Sequence, residues 1–501
     1  MIPRFLLLLM LLLGFAAHAA PDPSLVRQLA AEESDDKIAA IQKLALTAEP
    51  DALAVLQQLA DGTLKDDKGE EITLNNRVRR ELEGALAVLK LIDPDATVRF
   101  KAVKEIATNV DAAMAPMLAK ARDRETDPKI RNLLVEIHAL ATLKDADPQI
   151  RMAAARSLAS SADPNTQAVL KAQSEPANEA ETEVRRAAFQ SWLAVRDRLT
   201  LAETIGRIFS GLSLGSILLL AALGLAITYG VMGVINMAHG ELLMIGAYAT
   251  YAIQGIFRAH FPAQLDWYLL AAVPVAFFSA AAVGILLERT VIRWLYGRAL
   301  ETLLATWGLS LMLIQAARVI FGAQNVEVAN PSWMSGGLEI LPSIVLPLNR
   351  IVIVGFALFV LALVWVLMNK TRLGMFVRAV TQNRAMAGCV GVPTGRIDTV
   401  AFALGAGIAG LGGVALSQIA NVGPDMGQGY IVDSFMVVVL GGVGQLAGAV
   451  WAALGLGIVT KFIESWAGAV IAKIVVLVFI IMFIQKRPQG LFALKGRFVE
   501  N

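Results

Sequence analysis

Apolar and polar positions follow two different patterns, and the change falls near residue 204. Between 21 and 200, apolar residues recur at the three- and four-residue spacing of amphipathic helices, with Asp-Pro pairs at 93–94, 127–128 and 147–148 marking turns. Beyond 205 polar positions become sparse. Apolar runs there approach the roughly 20 residues that a bilayer core demands. They predict spans at approximately 207–230, 240–257, 267–287, 302–321, 350–368, 399–420, 432–446, 447–461 and 467–485. The pattern predicts an all-α chain, with a helical domain at 20–204 and a polytopic membrane domain of about nine spans at 205–501.

Within the first part a short pattern recurs. Val78-Arg79, Val98-Arg99, Ile130-Arg131, Ile150-Arg151 and Val184-Arg185 each open a helical run, and the arginines stand 20, 32, 20 and 34 residues apart. The larger period of 52 to 54 resembles a HEAT-type solenoid, in which stacked helix pairs share a core and leave a concave face for a partner. A compact helical bundle without a binding role is the alternative. These arginines are expected to pair with neighbouring acids rather than to bind a ligand.

Charge follows the same division. Residues 21–204 hold 31 of the 42 acids and 25 of the 44 bases, whereas 205–501 hold 11 acids and 18 bases. The overall +2 is thus a sum of opposite halves, and no basic patch with interleaved aromatics suggests nucleic acid. Twelve of the eighteen bases fall at 289–298, 370–396 and 486–497, which the positive-inside rule places in the cytoplasm. At the other end, Arg4, the apolar run Phe5 to Leu13 and Ala17-His-Ala19 read as a signal peptide over 1–19, with an uncleaved anchor as the alternative. Both signals predict an exported amino-terminal domain. Its sequence has no cysteine, since Cys389 is the only one, so packing alone must hold it.

Two membrane segments share an interruption. Gly233-Val-Ile-Asn236-Met-Ala238 and Gly442-Val-Gly-Gln445-Leu-Ala447 correspond, and Gly246 and Gly455 each follow the leading glycine by thirteen residues. Broken segments repeated in two halves commonly mark a solute path through inverted repeats, because unwound backbone supplies hydrogen-bonding groups at mid-depth. Asn236 and Gln445 are therefore candidates for the path, with His239 and Glu241 beside the first. A packing role is equally open, as for Gly405, Ala409 and Gly413 at small-xxx-small spacing. Glu241 and Asp433 also suit pairing or the membrane edge.

The segment Lys370 to Arg396 carries five bases and no acid. Its stretch 373–386 puts Leu373, Phe376, Val377 and Val380 on one helical face, with Arg378, Thr381 and Gln382 opposite and Arg384 close behind. Such a helix suits docking on a cytoplasmic partner, or it is a solvated positive-inside loop.

Enzyme signals fail. Gly211-Leu-Ser213-Leu-Gly215 fits G-x-S-x-G but lies inside an apolar helix rather than on a strand-to-helix turn. Four histidines, one of them in the signal segment, assemble no metal site, and the dipeptide Gly-Lys of a P-loop is missing. Neither a metal nor another cofactor is expected on this chain.

Gly211-Leu-Ser-Leu-Gly-Ser216, Tyr229-Gly-Val-Met-Gly-Val-Ile-Asn-Met-Ala-His-Gly-Glu241, Phe402-Ala-Leu-Gly-Ala-Gly-Ile-Ala-Gly-Leu-Gly-Gly413 and Val439-Leu-Gly-Gly-Val-Gly-Gln445 closely resemble the branched-chain amino acid type permeases of ABC importers, over about 205–492. The long amino-terminal domain, Leu300-Glu-Thr-Leu-Leu-Ala-Thr-Trp-Gly308, Arg378-Ala-Val-Thr-Gln-Asn-Arg384 and Ile484-Gln-Lys-Arg-Pro-Gln-Gly490 fit the urea branch of that family. The resemblance implies an inner-membrane permease subunit for urea or short-chain amides, without an ATPase site of its own. It implies a second, homologous permease subunit, two cytoplasmic ATP-binding subunits that use ATP and magnesium, and a periplasmic urea-binding protein. It also turns Arg378, Thr381, Gln382 and Arg384 into candidates for ATPase coupling. A branched-chain amino acid permease, and a membrane-tethered scaffold or sensor without transport, are the rival readings.

Overall fold

The computed structural model describes residues 23–492 apart from 32, 48–49, 66–71, 73, 92, 109 and 342–343. The expected signal segment at 1–19 and the start of the mature chain near Ala20 lie outside the described residues. The chain divides into two compact units between Thr200 and Leu201.

The first unit is a succession of helices: α1 (Pro23–Gln28), α2 (Ser34–Thr47), α3 (Pro50–Ala60), α4 (Asn76–Lys90), α5 (Ala96–Ala107), α6 (Ala115–Arg124), α7 (Pro128–Thr142), α8 (Pro148–Ser157), α9 (Pro164–Gln173) and the beginning of α10 (Thr182–Met232). Aspartates start several of them. Asp95, Asp127, Asp147 and Asp163 each accept a hydrogen bond from the backbone N–H two residues on, and proline follows three of the four at the first helical position. The apolar faces bury three cores in sequence order, around Leu44 and Leu82, then Val103 and Leu134, then Ala155 and Val195.

Three of the five recurring arginines share a task. Arg99 reaches back to the carbonyls of Asp93 and Pro94 at 2.8 and 3.0 Å and holds Glu125 through two hydrogen bonds of 2.9 and 3.0 Å. Fifty-two residues on, Arg151 does the same with the carbonyls of Asp145 and Ala146 and the carboxylate of Glu179. Arg185 repeats the backbone part on Glu179 and Ala180, without the acid. Each guanidinium closes the turn before its own helix. The Arg151 guanidinium, aided by the Glu181 N–H and the Gln173 amide, draws the Glu179 carboxyl down to about 2.

The second unit holds the rest of α10, then α11 (His239–His260), α12 (Tyr268–Thr290), α13 (Ala299–Phe321), α14 (Leu348–Lys370), α15 (Arg372–Gln382), α16 (Arg384–Cys389), α17 (Thr394–Ser417), α18 (Met426–Gly441), α19 (Leu446–Ala467) and α20 (Ala469–Lys486). Each of the nine expected spans falls on a helix, although 399–420 and 432–446 run past the helix ends at Ser417 and Gly441; seven helices among the described residues are long and apolar enough to cross a membrane. The two outside that set have different reasons. α11 has the length but carries His239, Glu241, Gln254 and Arg258, whereas α18 is apolar but short, at 16 residues. The expectation of a purely helical chain needs one correction. Between α13 and α14 lies an antiparallel hairpin of β1 (Gly337–Leu341) and β2 (Ile344–Pro347), pairing Leu338 with Leu346 and Glu339 with Val345. The β-branched Ile344 and Val345 favour that extended backbone.

At the centre of this unit stands α17, buried along nearly its whole length. Its glycines permit the close approach: a Cβ on Gly405 would meet Thr228 at 2.5 Å and the Gly224 carbonyl at 2.6 Å, and one on Gly413 would meet the Ala247 nitrogen at 2.8 Å. The small-residue spacing at 405, 409 and 413 is therefore a packing seam against α10 and α11.

Candidate functional site

Both expected interruptions are present. α10 stops at Met232 and Gly233 turns the chain with φ +66°; α18 stops at Gly441 and Gly442 and Gly444 turn it with φ +99° and +76°. A side chain would strain all three positions. The breaks touch one another through backbone, since a Cβ on Gly230 would stand 3.1 Å from the Gly444 Cα.

After the first break the polar side chains are wholly enclosed. Asn236 is 1% exposed, and its Oδ1 accepts the Ala238 N–H at 3.0 Å, which leaves Nδ2 without a partner. The His239 Nε2 lies 3.1 Å from the Ala221 carbonyl, so that nitrogen donates and Nδ1 is left as an unused acceptor. Glu241 takes a hydrogen bond from the Ser310 hydroxyl at 2.7 Å on Oε1, while Oε2 has none. Two turns along the same face, the Tyr248 hydroxyl is also buried and unpartnered, its ring stacked on Phe321. An unpaired buried polar group costs about 1–3 kcal/mol, so four such groups on one stretch of chain make it a candidate for contact with a polar solute or water. Together they offer two donors and two acceptors.

Gln445 sits differently. It is half-buried on the residue before α19, and among the described residues no hydrogen bond joins its side chain to Asn236. The equivalent glycines also diverge: Gly246 lies against Gly410, whereas a Cβ on Gly455 would meet nothing within 4 Å. The repeat is thus closer in backbone course than in side-chain environment.

Sequence reading missed Ser310, Thr306, which receives the Met237 N–H at 3.1 Å, and Tyr248. A signal was available for the first two. Thr302, Thr306 and Ser310 stand four residues apart in a largely apolar helix and are all buried, a stripe of hydroxyls whose last two members bond to Met237 and Glu241 after the α10 break.

The basic segment forms the two helices α15 and α16. Val377 and Val380 enter the main core with Leu373 and Phe376 packed beside them, as the amphipathic pattern expects. Arg378 and Gln382 are exposed; Arg378 donates to the Met368 carbonyl at the end of α14, and the half-buried Thr381 back-bonds to Val377 at 2.8 Å. Arg384 is not a free contact residue. It is paired with the buried Asp398 of α17 and lies 5.1 Å from the Tyr296 ring centre. Among the described residues no group of three or more His, Cys, Asp or Glu side chains is placed to hold a metal.

A helical bundle that breaks two of its helices and encloses unpaired polar atoms beside one break has the build of a membrane permease. Residues 207–485 match the family described as branched-chain amino acid transport system / permease component, and the chain belongs to that family of ABC permeases. It is 28% identical over 291 residues to the high-affinity branched-chain amino acid transport system permease protein LivH of Salmonella typhimurium, covering 57% of this chain and 94% of that one. Identity and coverage are the same for BraD of Pseudomonas aeruginosa, another high-affinity branched-chain amino acid permease protein. With the ribose import permease protein RbsC of Escherichia coli K12 it shares 26% identity over 263 residues, 51% of this chain and 76% of that one. No solved structure matches the chain. The membrane unit is accordingly that of a multi-pass inner-membrane transport subunit.

Proposed function

We propose that this chain is the B-type permease subunit of an ABC importer for urea or short-chain amides. The observation that carries the reading is the set of unpaired atoms at 236–248. The Asn236 amide and the Tyr248 hydroxyl offer donors to a carbonyl, and His239 Nδ1 and Glu241 Oε2 offer acceptors to N–H groups. None of the four is a lysine or arginine. A neutral solute with one C=O and several N–H groups satisfies such a set, whereas the carboxylate of an amino acid would find no cation among them. The amino-terminal unit adds support, since LivH and BraD are almost fully matched by little more than half of this chain.

In this reading the first unit is an exported HEAT-like domain, and the importer also contains a second permease subunit, two ATP-binding subunits and a periplasmic solute-binding protein. Nine crossings from an outside start put all three basic segments in the cytoplasm, as the positive-inside rule requires; dropping α11 and α18 would put 289–298 outside. Exposed Arg378 and Gln382 then face the ATPase, and Arg384 fixes the coupling segment to α17.

The relatives favour a second reading, a permease for branched-chain amino acids. Uptake of labelled urea and labelled leucine in a deletion strain, with and without this chain, decides between them. Urea alone supports the proposal, leucine alone replaces it, and restoration of neither points to a scaffold or sensor.

A further inference from the structure

At the other end of the membrane unit from Lys486, a cavity of about 210 Å³ opens between α10, α18, α19 and α20. Four charged side chains line it, Asp433 from α18, Lys461 and Glu464 from α19, and Lys473 from α20, with Tyr430 of α18 beside them. Charges between membrane helices are costly and mark functional sites by default. Here they sum to zero, two of each sign. One pair is tight, Lys461 with Glu464 at 2.7 Å, but the other is slack. Asp433, with its side chain only 17% exposed, has its ionic partner Lys473 at 3.4 Å, beyond the 2.7–2.9 Å usual for a charge-assisted bond. Lys473 also donates to the Gly429 carbonyl at 3.3 Å. A largely buried carboxylate and a lysine thus stand side by side with capacity to spare.

The surroundings say what kind of ligand reaches them. α19 and α20 meet at Gly468, with Trp466 77% exposed just before it, the position that tryptophan favours at a membrane–water interface. From Lys473 away from that turn, Ile474, Val478 and Ile481 present an exposed apolar strip along one face of α20. A charged cavity at a helix end with an apolar strip running away from it has the layout of a headgroup site followed by acyl-chain contacts.

We propose that this cavity binds the headgroup of a phospholipid bearing a primary ammonium, in the leaflet at the α19–α20 turn. The headgroup lies across the Asp433–Lys473 pair in the opposite sense, so that its ammonium meets Asp433 and its phosphate meets Lys473, with Lys461 and Glu464 repeating the pattern one helix away. A quaternary ammonium has no N–H to give Asp433, so phosphatidylcholine is the discriminating control.

The test uses the purified transport complex, delipidated in detergent, with native mass spectrometry to count retained lipid and thermal melting to follow stabilisation. Phosphatidylethanolamine is expected to bind saturably and at least about tenfold more tightly than phosphatidylcholine; Asp433→Asn is expected to remove most of that preference, whereas Lys473→Met, which takes away a phosphate contact common to both lipids, is expected to weaken both at least about tenfold. Equal binding of the two lipids by the wild-type complex overturns the proposal without any variant being needed. So does an unchanged preference in Asp433→Asn, or unchanged affinity for both lipids in Lys473→Met. Saturation by free phosphoethanolamine or leucine as strong as that by the lipid also overturns it, because the occupant is then a soluble zwitterion. Urea uptake is a separate readout, and its outcome leaves these binding curves unaffected.

Discussion

Arg384 and Asp398 form an ion pair in which only one partner meets solvent: the aspartate is wholly buried, and the guanidinium is 43% exposed. The two ends therefore respond differently to removal. Arg384→Gln leaves a buried charge uncompensated and should cost about 1–3 kcal/mol or more, whereas Asp398→Asn removes the buried charge itself and should cost less. Melting midpoints of the two purified variants give the order; a more damaging Asp398→Asn would refute this account of the pair.

Charge reversal at Arg378 separates coupling from folding. Arg378→Glu is expected to abolish uptake with normal insertion, while Arg378→Gln, which keeps a donor for the Met368 carbonyl, should retain more activity. The loop stays basic in both, so orientation survives. Wild-type uptake by the glutamate variant at normal expression would remove this residue from the coupling path.

Asn236→Leu and Gln445→Leu are each expected to depress urea uptake by about five- to 150-fold, the rate equivalent of roughly 1–3 kcal/mol for a lost hydrogen bond. Asn236→Gln and Gln445→Asn should lose less. Uptake must be normalised to assembled complex. A fall that tracks protein level rather than polarity would assign both residues to packing.

Within α11, two glycines make a paired test. A Cβ at Gly246 would come within 2.5 Å of the Gly410 Cα, backbone that cannot step aside, whereas one at Gly255 would meet nothing within 4 Å. Gly246→Ala should cost about 1–3 kcal/mol by overpacking and Gly255→Ala should be neutral or gain up to about 1 kcal/mol. Fluorescence-detected size exclusion after heating reads both.

The Glu179 carboxyl sets a pH window. Its folded value of about 2 lies below the ordinary 4.5, so the Arg151 pair stabilises fully above about pH 4.5 and loses its contribution as pH falls toward 2. Glu179→Gln should therefore lower the melting point at pH 6, and the gap to wild type should close between pH 4.5 and 2. A gap that persists at the acid end would locate the effect elsewhere.

What could be read from the sequence divides along the range of the interactions. Gly233 and the 442–445 turn were visible because a glycine and a polar residue interrupt an apolar run locally. The helix starts at Arg99 and Arg151 were visible for the same reason. Their partners were not: Glu125 and Glu179 stand 26 and 28 residues downstream, and nothing local distinguishes them from the other acids. Asp398 was hidden likewise, because Arg384 reads as another positive-inside charge until α17 is packed against it. Ser310 joins Glu241 only through the packing of α13 on α11, which local periodicity does not rank, and Tyr248, on the same face as Glu241, reads as one more aromatic until its hydroxyl is seen to be enclosed. The β1–β2 hairpin was lost among apolar residues that read equally well as membrane edge.

The shortness of α18 bears on how the membrane unit fills the bilayer. At 1.5 Å per residue its 16 residues span about 24 Å, several ångströms less than the roughly 30 Å of hydrocarbon around it. Set upright, the helix leaves about 6 Å of that depth to the turns at its ends, 423–425 before it and 442–445 after it. Backbone that is not helical at membrane depth must be covered by protein rather than by lipid. The close approach of Gly230 to Gly444 is insulation of that kind, protein laid against an unwound stretch of chain.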